Sequence, residues 1–196
     1  MKISSFFRLA ASAALAFFLV GCAHPIAIQA EKSPPRVESQ LSSKKVAYVM
    51  NDTDRGKQVT TAGGGGDKVS YSPYRDMEKA IRDALRAVYT DVIVVPDVKD
   101  GALIRNAGID LVFVPEITTT SSSSSPVTWP PTQFSTEISC KVTNADGVEI
   151  DRLRVTGNGY ADYEEFKSNF GLAANRAGTD VAAKLSREIA DRPKLR

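Results

Sequence analysis

The chain has 196 residues, which suits one domain with a single hydrophobic core. Its 25 basic and 23 acidic residues nearly cancel, and the chain after residue 21, without Lys2 and Arg8, carries 23 of each. Nucleic-acid binding usually needs a basic patch, so this balance predicts no nucleic-acid partner.

The first 22 residues have the pattern of a secretory signal. A basic start precedes an apolar run from Leu9 to Val20, which is too short for a comfortable membrane span. The sequence Leu19-Val20-Gly21-Cys22 resembles the bacterial lipobox, in which the cysteine is acylated and becomes the first residue of the mature protein. We therefore expect Cys22 to be lipidated, with palmitate among its acyl chains. The alternatives are an ordinary secretory peptide cut nearby and an uncleaved anchor.

Residues beyond the cysteine predict where the protein resides. Ala23, rather than Asp, follows Cys22, and the resemblance to bacterial lipoproteins implies transport to the outer membrane. We expect the domain to face the periplasm, and the alternative is that it faces the medium. Residues 22–43 combine three prolines with many polar residues and show no sustained period, which is typical of a tether. We divide the chain into a signal peptide (1–21), a lipidated tether (22–43) and an α/β periplasmic domain (44–196).

The periodicity of the domain predicts strands that alternate with helices. The predicted strands are Val46–Met50, Lys57–Ala62, Asp67–Ser72, Asp91–Pro96, Ile109–Ile117, Gln133–Thr143 and Val148–Gly157, and the predicted helices are Pro73–Val88, Asp100–Ala107 and Glu164–Ala190. Ile109–Ile117 is apolar on both faces, so we expect it to be central. The fold class is thus α/β: a single domain with a mixed sheet of about five strands, two longer helices and one short helix packed on it.

Glycines mark two special places in this pattern. Gly63–Gly66 separate two alternating segments, which predicts a hairpin with a flexible tip. A phosphate-binding loop would instead need Gly-Lys-Ser/Thr at the start of a helix. Gly171 and Gly178 lie within the last predicted helix, where they either permit close packing or mark a break.

A long loop is predicted from Thr118 to Pro131. Long loops inside a domain are often functional. Trp129 is either an exposed anchor for a partner or a plug folded back on one end of the core. The residues proposed to bind a partner are Trp129, Pro130, Ser121 and Ser125.

Catalytic, metal and cofactor sites are not predicted. His24 is the only histidine, so neither a Ser-His-Asp site nor a His/Cys metal cluster can form. The carboxylate pair Asp52 and Asp54 lies in a turn, and Glu164 and Glu165 lie at a helix start, where acids favour the helix dipole. We therefore expect no enzyme.

One cysteine remains once Cys22 is acylated, so no internal disulfide is expected. Cys140 could be a redox or intermolecular site. It shares one face of an alternating stretch with Phe134, Ile138 and Val142, which favours a buried position in a strand.

The stretch Ala107-Gly108-Ile109-Asp110, continued by the apolar run to Ile117, resembles a segment of several envelope lipoprotein families. These are the amino-terminal domain of TolB, the curli-secretion lipoproteins and the lipoproteins that activate penicillin-binding proteins. The order of elements over residues 44–190 also fits these families. The chain resembles the lipopolysaccharide-assembly lipoprotein of the outer membrane as well. The resemblance implies a fold type and a general role, and no functional residues.

We therefore expect a lipid-anchored, non-enzymatic accessory or assembly subunit of a secretion, appendage or cell-wall complex. Its partners would be the outer-membrane leaflet and other envelope proteins or copies of itself, bound through sheet edges or the Thr118–Pro131 loop. The alternative is a stand-alone binder of a lipid or glycan. The first function predicts an exposed apolar patch with a polar rim, and the second an apolar cleft that encloses its ligand.

Overall fold

The computed structural model describes residues 23–166 and 168–196, so Cys22 and the predicted signal peptide lie outside the described residues. The strands are β1 (His24–Pro25), β2 (Ser42–Val49), β3 (Val59–Ala62), β4 (Lys68–Tyr71), β5 (Tyr89–Val95), β6 (Leu111–Ser122), β7 (Gln133–Asn144) and β8 (Glu149–Tyr160). The α-helices are α1 (Asp52–Gly56), α2 (Pro73–Arg86), α3 (Gly101–Asn106), α4 (Tyr163–Phe166) and α5 (Leu172–Ala190), and short 3-10 turns lie at Glu38–Gln40 and Pro193–Leu195.

The centre of the fold is a five-stranded mixed sheet in the order β5-β2-β6-β7-β8. β2 pairs in parallel with β5 and β6, whereas β6, β7 and β8 are antiparallel. β6 is the middle strand, and its Phe113 is 1% exposed. The single α/β domain and the central position of this apolar strand are confirmed.

The first face of the sheet is covered by α2 and α5, which contribute to the main core. α5 approaches the backbone of β8 closely because two glycines lie beneath it. A Cβ on Gly159 would lie 1.9 Å from the carbonyl oxygen of Ala173, and a Cβ on Gly157 would lie 2.3 Å from that of Ala177. No other residue fits at these two positions without moving the helix.

Among residues 23–166 and 168–196, the second face is covered only at its parallel end. There, Ile104 of α3 packs against Ala47 of β2 and Val112 of β6 in a small separate core. Farther along, the outward-facing side chains of β6, β7 and β8 are polar and exposed or half-buried. This surface, the open face, consists of Glu116, Thr118, Thr120, Ser122, Gln133, Ser135, Glu137, Ser139, Arg154, Thr156, Asn158 and Tyr160.

β6 is longer than the sequence suggested. The prediction of a loop from Thr118 is wrong, because residues 118–122 continue the antiparallel ladder opposite Gln133–Glu137. Threonine is β-branched and suits a half-buried strand, so a hydroxyl run with one exposed face is compatible with a sheet. The loop is thereby reduced to residues 123–132.

The glycine-flanked segments form the predicted hairpin. β3 pairs antiparallel with β4, and β1 adds to β4 in a second sheet of order β1-β4-β3. The last helix is divided into α4 and α5, with Gly171 as the N-cap residue of α5. Gly178 permits close packing, since a Cβ there would lie 3.2 Å from Cγ2 of Ile28.

The predicted tether is wrong for residues 24–31, which we call the N-terminal strap. The Ile26 N–H donates to the Ser70 carbonyl at 2.9 Å, and the Gln29 N–H donates to Oδ1 of Asn175 at 2.8 Å. Ile28, which is 0% exposed, fills a groove between α2 and α5 beside Met77. The sequence of the strap resembles a linker because its apolar residues have no regular period. It needs none, since side chains of other elements accept hydrogen bonds from its backbone N–H groups.

Candidate functional site

The glycine tip of the β3–β4 hairpin is bound to the loop over residues 123–132. The Gly64 N–H donates to the Trp129 carbonyl at 2.8 Å, and the Gly65 N–H donates to the Ser125 carbonyl at 3.0 Å. A Cβ on Gly64 would lie 1.9 Å from the carbonyl oxygen of Thr128. The expected flexible tip is therefore held by hydrogen bonds, and two of the amides that could bind a phosphate are already used.

Trp129 folds back on this end of the core while part of its ring stays accessible. Its ring stacks on His24 with centroids 4.2 Å apart and an interplanar angle of 18°. The centroid of the Phe170 ring, which comes from the segment just before α5, lies 4.9 Å from the centroid of the Trp129 ring. Of the two alternatives for Trp129, the structure favours the folded-back position.

The accessible part of Trp129 belongs to an exposed apolar surface. Val127, Tyr163 and Phe170 are 85%, 59% and 49% exposed. Together with Trp129 they line an open groove of about 220 Å³, and we call these four residues the aromatic patch. The His24 imidazole, 3.5 Å from the Asp67 carboxylate, forms part of its polar rim.

The ion pair between Arg176 and Glu165 holds the backbone segments that carry the patch. Arg176 of α5 donates to Oε1 of Glu165 at 2.6 Å and to the Tyr160 carbonyl at 2.6 Å. The hydrogen bond from Arg176 lowers the pKa of Glu165 to about 2. α4, which carries Tyr163, is thus fastened to α5.

The other residues proposed from sequence to bind a partner have internal roles. The Ser121 hydroxyl donates to Oγ1 of Thr61 at 2.6 Å, and the Ser125 hydroxyl accepts from Thr128 at 2.7 Å. Pro130 is buried. The structure brings Trp129 and Pro130 to the same groove, whereas Ser121 joins β6 to the β3 hairpin strand.

Sequence reasoning missed the partners of Trp129. Tyr163 and Phe170 follow β8 and lie more than 30 residues later in the chain, so no local pattern pairs them with the loop. His24 was placed in a tether. The useful signal was the break at Gly171, which separates Phe170 from the regular apolar stripe of α5.

A second concavity lies on the open face at the same end of the sheet. Its volume is about 500 Å³, and its polar lining comes from Thr120, Ser122, Gln133, Ser135, Asn158 and Tyr160. Farther along this face, Arg154 donates to Oε1 of Glu137 at 2.7 Å. That hydrogen bond lowers the pKa of Glu137.

One of the sheet edges that sequence proposed for partner binding is partly closed, at its end near Tyr160. α5 side chains bond the outward backbone groups of β8: Lys184 donates to the Thr156 carbonyl at 2.9 Å, and Asp180 accepts from the Asn158 N–H at 2.9 Å. Arg176 does the same at Tyr160. These three bonds make this end of β8 a poorer template for a partner strand, because an added strand would need the same backbone groups.

Two reactive groups outside these surfaces, Cys140 and Glu78, have structural roles. Cys140 is buried, as predicted, and burial raises the pKa of its thiol to about 12. Glu78 accepts two hydrogen bonds of 2.8 Å from Arg55, which lower its pKa and join α1 to α2. Within residues 23–166 and 168–196, no three His, Cys, Asp or Glu side chains are placed to hold a metal ion. None of the helices in those ranges is long and apolar enough to cross a bilayer.

The solved structures described below are distant likenesses of this chain. No family model and no curated protein matches the chain. The solved structure of the PelC dodecamer from Paraburkholderia phytofirmans is 16% identical with a TM-score of 0.45, covering 79% of this chain and 94% of that one. A minor lipoprotein from Acinetobacter baumannii is 14% identical with a TM-score of 0.44, covering 76% of this chain and 92% of that one.

A DUF330 protein from Xanthomonas campestris is 11% identical with a TM-score of 0.43, covering 86% of this chain and 93% of that one. TM-scores below 0.5 at such identities assign neither a role nor an oligomeric state to this chain. The resemblance to TolB, curli-secretion and penicillin-binding-protein-activating lipoproteins is not confirmed by these likenesses.

Proposed function

We propose that this chain is a lipid-anchored outer-membrane lipoprotein that acts as a non-enzymatic accessory or assembly subunit of an envelope complex. The anchor rests on the lipobox ending at Cys22. The observation that carries the role is the N-terminal strap, which fastens the domain directly behind its anchor. His24, two residues after Cys22, already pairs with β4.

A strapped domain suits a stationary subunit better than a carrier. A lipid carrier that reaches from one membrane to another needs a long spacer and a cavity that encloses the ligand. From residue 24 onward the described chain is bound to the domain, so the reach of a 22-residue tether is lost. The apolar groove, at about 220 Å³, is below the roughly 300–1,000 Å³ usual for ligand pockets.

The open face is the surface we assign to the protein partner. It is wide, carries hydroxyl and amide groups together with charges of both signs, and no described element covers it. Protein interfaces outside obligate oligomers are about as polar as the remaining surface, so this composition is compatible with a subunit contact. The partner is another envelope protein or a further copy of this chain.

A glycan is the second candidate for the same face. The concavity of about 500 Å³ lies within the usual range of ligand sites, and its lining is rich in hydroxyl and amide groups. Tyr160, 57% exposed, offers an aromatic ring with a polar tip. This site would hold part of a wall or capsule polymer rather than a lipid.

Photo-crosslinking in cells tests the proposal. A crosslinking amino acid at Thr120 or Asn158 on the open face should trap one dominant envelope protein, or a dimer of this chain. The same group at Val148, 61% exposed in the turn at the other end of β7 and β8, is the matched control. Equal crosslinking from Val148, or a co-purified glycan with no protein, would overturn the assembly role.

Membrane attachment is tested separately. Cys22→Ser should abolish acylation, detected by labelled palmitate, and move the protein from the outer-membrane fraction to the soluble fraction. Unchanged retention of the variant in the membrane would refute the lipoprotein assignment.

A further inference from the structure

We propose that the aromatic patch contacts and partly inserts into the phospholipid leaflet that holds the anchor, so that the domain lies on the membrane in one fixed orientation. This inference rests on the proposed lipidation of Cys22. The patch residues are Val127, Trp129, Tyr163 and Phe170.

The position of the anchor supplies the first argument. Consecutive Cα atoms are 3.8 Å apart, so the Cα of Cys22 lies within about 8 Å of the Cα of His24. The His24 ring stacks on Trp129, and His24 is itself fixed by pairing with Val69 of β4. Acyl chains on Cys22 would therefore enter the membrane within roughly 15 Å of the Trp129 ring, the sum of two Cα steps, the His24 side chain and the ring separation.

The chemistry of the patch supplies the second argument. Tryptophan and tyrosine are enriched where a bilayer meets water, because each has an apolar ring and a polar group. Val127 and Phe170 expose hydrocarbon that gains about 25 cal/mol for each Å² removed from water. None of the four residues carries a charge that insertion would desolvate.

Rigidity supplies the third argument. The loop carrying Val127 and Trp129 is bonded to Gly64 and Gly65, while Tyr163 is held through the pair of Glu165 with Arg176. The patch is thus a preformed surface, which loses little conformational freedom when it binds.

The contact fixes which way the long strands point. Val127 and Trp129 lie in the β6–β7 connection, and Tyr163 follows the end of β8. At about 3.3 Å per residue, the 12-residue strands extend about 40 Å from this end to the turn over residues 144–147. The open-face concavity, lined by Thr120 and Tyr160, therefore lies at the membrane-proximal end.

The test uses the single tryptophan of the chain as a local probe. The lipidated protein, purified from membranes, is placed in phosphatidylethanolamine–phosphatidylglycerol vesicles with and without lipids brominated at shallow acyl positions. Bromolipid should quench Trp129, its emission should shift to the blue, and acrylamide should quench it less than in the soluble Cys22→Ser protein.

Two variants and a control sharpen the result. Val127→Ser changes a side chain that is 85% exposed, so the fold should remain intact while bromolipid quenching decreases. Val127→Ser with Phe170→Ser should decrease it further. Val148→Ser makes the same kind of change at the far end and should leave quenching unaltered. Thermal melts verify that each variant is folded.

A second preparation separates this inference from the proposed function. The mature chain from residue 22 is coupled through Cys22 to a maleimide phospholipid, since Cys140 is buried and protected. If cells do not acylate Cys22 but the coupled protein shows quenching, the anchor proposal fails and the leaflet contact stands. If anchored protein leaves Trp129 unquenched by bromolipid and equally open to acrylamide, the leaflet contact is refuted and the patch is left to a protein partner.

Discussion

The two faces of strands β6, β7 and β8 differ in how they are closed. On the first face α5 lies in backbone contact with β8 over Gly157 and Gly159. On the second face, Val112 is buried under α3, whereas Thr120 farther along the same strand is exposed. The difference shows that one continuous strand can be part of the core along one stretch and part of the surface along another. Whether a stretch is buried depends on whether its side chains are apolar or polar, and β6 pairs with β7 along both stretches.

The strongest test of this difference between the two faces is a charged substitution on each face of β6. Phe113→Asp should prevent folding, because the carboxylate would be buried without a partner. Thr120→Asp, on the open face opposite Ser135, should fold normally. Circular dichroism and urea unfolding measure both, and a folded Phe113→Asp protein would contradict the assigned sheet.

The strap completes the cover of the first face, and truncating its buried side chain should have the next largest effect on stability. Ile28→Ala should lower the free energy of unfolding by about 2–5 kcal/mol, the usual cost of truncating a buried isoleucine. Val37→Ala, at a residue 45% exposed, is the control and should change little. Equal small effects at both positions would show that the strap is not part of the core.

A methyl group tests how closely α5 approaches β8. Gly159→Ala should destabilise the domain by about 1–3 kcal/mol, since the added carbon collides with the Ala173 carbonyl. Asn158→Ala changes the neighbouring exposed side chain and keeps the backbone bond from Asn158 to Asp180, so it should be nearly neutral. Thermal unfolding of the two proteins would contradict the close approach if they melted alike.

The smallest expected effect is on the open face. The Arg154 hydrogen bond holds the pKa of Glu137 below its ordinary value of 4.5. The folded state therefore gains from this carboxylate above pH 4.5 and loses that gain as pH falls through the lowered pKa. Glu137→Gln should remove a small part of the acid sensitivity of unfolding, measured by urea titration between pH 3 and 6. An unchanged pH profile would show that the pair contributes nothing.

Local patterns were sufficient for much of the fold. Two-sided apolarity placed Ile109–Ile117 in the middle of the sheet, and alternation placed Cys140 inside. Patterns were insufficient where contacts are distant in sequence. The strap binds through its backbone to the side chains of Asn175 and Thr179, which lie about 150 residues later in the chain. The hydroxyl run from Thr118 was predicted to be a loop because all of its side chains are polar, although only one face of this part of the strand is exposed.

Of the candidate site, the sequence predicted only the central residues, Trp129 and Pro130. Trp129 and Pro130 were selected because a tryptophan among prolines is unusual, and both line the groove. Their neighbours came from distant segments, and Ser121 and Ser125 proved to hold the loops together. A hydroxyl in a loop can bind a partner or its own chain, and residue type alone does not distinguish these uses.

The partly occupied edge of β8 has a consequence for the membrane-anchored protein that we propose. Molecules anchored in one leaflet meet far more often than molecules free in solution, because tethering raises their effective concentration. A bare 12-residue edge would then recruit neighbouring strands into disordered ribbons. Lys184, Asp180 and Arg176 occupy three outer backbone groups of that edge, the Thr156 carbonyl, the Asn158 N–H and the Tyr160 carbonyl. In the proposed anchored state, crowding would thus favour contacts through the open face over strand pairing at this end of β8.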